Sequence, residues 1–184
     1  MVQGPLTSEN EWWFFFGYGV TWPPDKCSRC TELVELYKKP NCHCINCWKL
    51  EIFFSNCTDL KTVKNYLLEE ARQDPTFSGK WLKKPMEMPR DIKEKITSIP
   101  EEGHPSPDIK KDGVILVYTQ SIAERDERKG RILAFLRQNG LYKKPEISYR
   151  RGCLNFDEII GPWKTWWPLD KDYSEEDGVR DERK

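Results

Sequence analysis

Five of the chain's seven cysteines fall between residues 27 and 47, and that spacing constrains the fold more than any other feature. Cys27-Ser28-Arg29-Cys30 is one Cys-x-x-Cys pair, and Cys44-Ile45-Asn46-Cys47 is a second. Two such pairs, each offering two sulfurs from a tight turn, can close a tetrahedral thiolate site on one metal ion. The expected ligands are Cys27, Cys30, Cys44 and Cys47, with Cys42 or His43 as a substitute for one of them. The expected cofactor is one structural zinc ion. A catalytic zinc keeps three protein ligands and an open position, whereas here candidate ligands outnumber the positions to be filled.

Two other uses of these thiols stay open. Four thiolates suit an iron–sulfur cluster as well as they suit zinc. Disulfides need an oxidising compartment. Met1-Val2-Gln3-Gly4-Pro5 has neither the basic start nor the apolar stretch of a secretion signal, and an odd number of cysteines fits a disulfide framework poorly. The expectation is an intracellular, cytoplasmic protein.

Composition narrows the functional class. A chain of 184 residues can bury one core together with a small metal-stapled module. The 30 basic and 30 acidic residues cancel, so a nucleic-acid role must rest on local patches rather than on net charge. No apolar run reaches the roughly 18 residues of a membrane span, and the mean hydropathy of −0.77 fits a soluble chain.

Four segments are expected: an N-terminal aromatic strand in 1–22, a zinc-binding module in 23–48, an α+β domain in 49–161, and an aromatic, then charged, tail in 162–184. Residues 1–10 read as a flexible lead. The run from Trp12 to Val20 reads as a strand, ended by Trp22-Pro23-Pro24, and Thr31 to Tyr37 reads as a loop between the cysteine pairs. Residues 48–54 alternate and then turn apolar, as a strand does. Thr58 or Asp59 can cap a helix to Gln73, with Leu60, Val63, Leu67 and Leu68 on one face. A short strand is expected over 79–84, a short helix over 90–99 and a loop over 100–112. Val114 to Tyr118 is a strand. Ser121 and Glu124 form a capping-box pattern for a helix ending at Asn139-Gly140, with Ile122, Ile132, Phe135 and Leu136 turned inward. Another strand follows over 146–150. The charges from Glu124 to Lys129 read as a solvated face.

The order within 49–161 suggests duplication: strand, helix, Leu82-Lys83-Lys84-Pro85, then strand, helix, Tyr142-Lys143-Lys144-Pro145. Two β-α-β units in this order make a ferredoxin-like, RRM-like antiparallel sheet with both helices on one face. The expected fold class is therefore α+β, ferredoxin-like, with a zinc-ribbon or zinc-knuckle insertion.

Catalytic signatures are missing from the sequence. It holds no phosphate-binding glycine motif, no nucleophile elbow and no His-Glu-x-x-His. Of two histidines, His43 lies in the cysteine cluster and His104 in a proline-rich stretch. A non-enzymatic protein is expected. Cys57 and Cys153 read as packing thiols, with Cys153 the more reactive candidate because Arg150 and Arg151 precede it.

Basic residues interleave with aromatics: Tyr37-Lys38-Lys39, Lys83-Lys84, Tyr142-Lys143-Lys144 and Tyr149-Arg150-Arg151. Cations for phosphate and flat rings for bases are what single-stranded nucleic acid requires. These residues are the expected surface of an RNA-binding subunit of a ribonucleoprotein complex. The alternative is a protein–protein adaptor in which Trp163, Trp166 and Trp167 dock a partner, tryptophan being enriched at interface hot spots.

Overall fold

The computed structural model describes residues 7–9, 13–17, 22–54, 57–74, 76–82, 113–141, 145–153 and 156–166. Alternation in the sequence becomes a six-stranded antiparallel sheet in a mixed α/β fold. Its strands are β1 (Thr7–Glu9), β2 (Trp13–Gly17), β3 (Trp48–Phe54), β4 (Ser78–Leu82), β5 (Gly113–Thr119) and β6 (Glu146–Arg151), in the order β1-β2-β4-β5-β3-β6. The helices are α1 (Trp22–Tyr37), α2 (Cys42–Asn46), α3 (Cys57–Gln73), α4 (Ile122–Gln138) and α5 (Phe156–Ile160), followed by a 3-10 turn over Trp163–Thr165.

Strand β3, between β5 and β6, is buried on both faces. It pairs with β5 in the register Leu50↔Val117 and Ile52↔Ile115, and with β6 in the register Leu50↔Tyr149 and Trp48↔Arg151. Side chains alternate across a strand. Leu50, Ile52 and Phe54 join Ile115, Val117 and Phe16 in the main core, where Leu60, Val63 and Leu67 of α3 and Ile132 and Leu136 of α4 meet them. Helices α3 and α4 thus cover one face, and Tyr66 of α3 stacks on Phe135 of α4 with ring centroids 4.0 Å apart. On the other face Phe53, Leu82 and Val114 form a smaller cluster with Trp13 and Leu116.

Local chemistry accounts for the helix boundaries. Ser121 caps α4 by accepting the Glu124 N–H at 3.1 Å, while the Glu124 carboxylate takes the N–H of Gln120 at 2.6 Å. Gly140 ends the helix in a left-handed conformation, φ 68°. Helix α3 begins at Cys57, which places Asp59 within its first turn rather than at the cap.

Several expectations are corrected. The lead is not wholly free, since Thr7–Glu9 pairs with β2. Residues 31–37 are the end of helix α1, and Trp22-Pro23-Pro24 is its start, where the N–H that proline lacks has no helical partner to lose. The helix stops at Lys38, whose φ of 51° is left-handed, just before Pro40. Arg128 is not part of a solvated face: it is 2 % exposed. Lys-Lys-Pro is out of phase in the two β-α-β units, following β4 in the first and preceding β6 in the second. The expected helix over 90–99 and loop over 100–112 lie outside the described residues.

Candidate functional site

The second cysteine pair is organised by Asn41. Its side chain accepts the Cys44 N–H at 3.0 Å, and Cys44 Sγ accepts the Asn41 N–H at 3.1 Å, a reciprocal cap that starts α2. The same Asn41 side chain reaches α1, where its amide nitrogen lies 3.5 Å from both the Sγ and the carbonyl oxygen of Cys30. The Cys30 and Cys44 sulfurs are thereby brought into hydrogen-bond contact with each other. This organising role of Asn41 is one that the cysteine spacing did not reveal.

The contact splits the two thiols electrostatically. The hydrogen bond from Cys44, helped by Asn41, pulls the Cys30 thiol below its ordinary value against the effect of burial. The same bond, and then burial, push Cys44 up. Burial also pushes Cys47 up, with Lys49 and Arg150 acting the other way. None of Cys30, Cys44, Cys47 and Cys153 is in a disulfide.

The end of β6 closes on this cluster. Gly152 donates its N–H to the Cys47 carbonyl at 2.8 Å, and Lys49 Nζ donates to the Gly152 carbonyl and to Cys153 Sγ, the latter at 3.2 Å. Cys153 packs against the same cluster that holds Cys30, Cys44, Trp48, Phe156, Trp163 and Trp166. The positive group facing Cys153 is Lys49. Arg150 instead spends its guanidinium on Asp157 at 3.0 Å and the Cys153 carbonyl at 3.4 Å.

Of the expected metal ligands, Cys30 and Cys44 are brought into contact, and Cys47 lies within electrostatic reach of both. Cys27 lies in helix α1 rather than in a tight turn, and its side chain, like those of Cys42, His43 and Cys57, lies outside the described residues. Among the described residues no group of three His, Cys, Asp or Glu side chains forms a metal site.

The expected nucleic-acid residues divide sharply. Tyr37, Lys38 and Lys39 are exposed at the end of α1. Arg150 and Arg151 are buried, at 2 % and 0 % exposure, which removes them from any open surface: β6 pairs with β3, and the Arg151 guanidinium lies 4.3 Å from the centre of the Trp48 ring. Lys83, Lys84, Tyr142, Lys143 and Lys144 lie outside the described residues, as do Trp167 and His104. The expected docking rings Trp163 and Trp166 are buried in the protein's own core, because Trp163 sits edge-on to Trp48 at 6.0 Å and Trp166 against Phe156 at 6.3 Å.

Above the thiols lies a patch that sequence reasoning missed. The Arg125 guanidinium of α4 stands 4.5 Å from the Trp48 ring centre and 4.3 Å from that of Tyr149. Lys129, one turn on, lies 5.7 Å from the Tyr149 ring, and Lys164 lies 5.9 Å from that of Trp163. Tyr149 is 38 % exposed, so its ring is covered by cations yet open to solvent. The sheet face opposite the long helices offers less: Lys49, Glu51, Phe53, Tyr118 and Leu82 are all buried. No protein-family model, curated protein or solved structure matches the chain. The chemistry of these residues alone bears on function. No described helix is long and apolar enough to cross a membrane.

Proposed function

We propose that this chain is a non-enzymatic, zinc-containing protein that binds single-stranded nucleic acid, RNA in preference, as a subunit of a ribonucleoprotein complex. The observation that carries this reading is the partly exposed Tyr149 ring with Arg125 and Lys129 over it and Lys164 nearby. A ring of this kind stacks a base while the surrounding cations meet phosphate. Tyr37, Lys38 and Lys39, exposed at the end of α1, offer a further basic, aromatic surface. In this reading the zinc is structural. Cys30 and Cys44 hold it, with Cys27 and Cys47 as the partners their spacing suggests. We read the β3–β6 portion as ferredoxin-like; the order β4-β5-β3-β6 and the shared helix-covered face support that.

A salt-dependent gel shift with single-stranded RNA and DNA tests the function. Tyr149→Ala is expected to weaken binding by about 1–3 kcal/mol, the worth of one stacked base. Lys129→Glu with Lys164→Glu is expected to flatten the salt dependence, by roughly one unit of slope for each phosphate no longer neutralised. Unchanged affinity in variants with normal melting curves would reject the reading. An adaptor role is the second reading, favoured by Leu36 and Tyr37, which are 71 % and 59 % exposed side by side on α1; Leu36→Asp would then abolish partner capture, and the gel shift with RNA would show no binding by the wild type.

A further inference from the structure

The sheet face opposite α3 and α4 is closed over β3 but opens toward β2. Directly paired residues form a row across four strands: Ser8 of β1 lies opposite Phe15 of β2, Phe15 opposite Lys80 of β4, and Lys80 opposite Leu116 of β5. All four are partly exposed. The next residue in the row, Glu51 of β3, is buried and accepts a hydrogen bond from Ser148 at 3.1 Å. Trp13 stands two residues before Phe15 and so on the same face. It is partly exposed as well, and the cluster of Phe53, Leu82 and Val114 supports it.

A cation is interleaved with the rings here. Lys80 Nζ lies 4.0 Å from the centre of the Trp13 ring and 5.8 Å from that of Phe15. Rings two residues apart on one strand are about 7 Å apart along it. That step suits consecutive bases of an extended single strand, and aromatics carried on a sheet stack two or three bases in this way. An ammonium over a ring at a partly exposed site contributes less than a base stacked on the same ring. A base therefore displaces Lys80 from Trp13, and the ammonium turns to phosphate. Charge agrees with such a ligand. Glu9 is the one acidic residue in β1, β2, β4 and β5, and it pairs with Phe14, which places it on the opposite face.

We propose that Trp13, Phe15 and Lys80 form a second nucleic-acid subsite, which takes two consecutive bases of a single strand on Trp13 and Phe15 and the phosphate between them on Lys80. The proposal rests on the nucleic-acid reading above and adds a subsite to it. Strands β2 and β6 are separated by β4, β5 and β3, about 19 Å across the sheet. The two sites also use opposite faces, since Tyr149 pairs with Leu50, which points into the core under α3 and α4. They therefore hold separate nucleotides.

Fluorescence anisotropy of a labelled oligouridylate with the full chain, as wild type, Trp13→Ala, Phe15→Ala and Lys80→Gln, tests this. Trp13→Ala and Phe15→Ala are each expected to weaken binding roughly 5- to 150-fold, the worth of one stacked base, and Phe15→Tyr to keep wild-type affinity. Lys80→Gln is expected to lower the salt slope by roughly one unit. Wild-type affinity in both alanine variants overturns the subsite and, so long as the wild type binds, leaves the nucleic-acid reading standing. No binding by the wild type overturns both. Trp13 also packs against its neighbours, so photo-cross-linking of the wild type to a 5-iodouridine oligonucleotide, read by mass spectrometry, guards against variants that fail to fold. The cross-link is expected at Trp13 or Phe15, and cross-links confined to other residues overturn the proposal.

Discussion

Trp166 lies across Gly152 so closely that a Cβ on the glycine would meet the indole ring at 2.7 Å. The indole N–H donates to the Gly161 carbonyl at 2.9 Å, and the residue is 2 % exposed. The C-terminal aromatic segment is therefore core, clamped over the turn that carries Cys153. Trp166→Ala is expected to cost about 3–5 kcal/mol, as loss of a large buried aromatic does, and truncation after Gly161 should cost more, because it removes Trp163 as well. Urea denaturation checks both. A truncated chain with an unchanged midpoint would show that the segment contributes nothing to the fold.

Arg128 ties α4 to two other parts of the chain. Its guanidinium donates to the Tyr118 carbonyl and to Thr76 Oγ1, both at 3.1 Å, and it pairs with Glu124. Burial lowers its proton affinity, and Glu124 and Asp74 act against that. Arg128→Ala would leave these groups without their cation and should cost about 3–5 kcal/mol; Arg128→Met, which keeps much of the volume, should cost less. Equal losses in the two variants would mean that packing contributes nothing at this position and that the lost cation and its hydrogen bonds account for the whole effect.

Asp74 gives the fold a dependence on acid. Burial raises its carboxyl, but the hydroxyl and N–H of Thr76 and the charges of Arg128 and Arg131 outweigh that, and the net shift is downward. A depressed carboxylate contributes stability above its unfolded pKa of about 3.9, and that contribution disappears as pH falls through the lower folded value. Thermal melts from pH 7 to pH 2 should therefore show a decline below about pH 4 that is shallower in Asp74→Asn. An identical decline in both proteins would assign the acid sensitivity to other groups.

Chelation should destabilise the cysteine module first. If zinc is bound as proposed, its removal withdraws folding free energy directly. Melting temperature should fall with chelator and recover when zinc is restored. Hydrogen exchange should quicken in α2 and at the end of β6 before it does in α3. A zinc-free preparation that melts at the same temperature would remove the metal from the fold.

Local periodicity made much of the architecture readable. β3 and β5 are visible as alternating or wholly apolar runs, and α4 as a capping serine followed by inward residues and a terminal Asn139-Gly140. Helix α1 was not, because its first turn carries two prolines and its last turn is exposed at Leu36 and Tyr37, which blurs the apolar stripe. The fates of Arg150 and Arg151 were illegible for another reason. Charge signals solvent exposure only until a partner such as Asp157 or the Trp48 ring is packed against it.

The sequence by itself determined local features: where strands β3, β5 and β6 run, where α4 is capped, and that thiols are concentrated in one short module. Tertiary structure decided which distant groups meet. Lys49 and Gly152 are 103 residues apart and share a hydrogen bond because β3 and β6 are paired in register. That pairing carries Gly152 to the Cys47 carbonyl and Tyr149 under Arg125. Such meetings depend on strand order and on which faces are buried together, and these are settled only when the whole apolar surface leaves water at once.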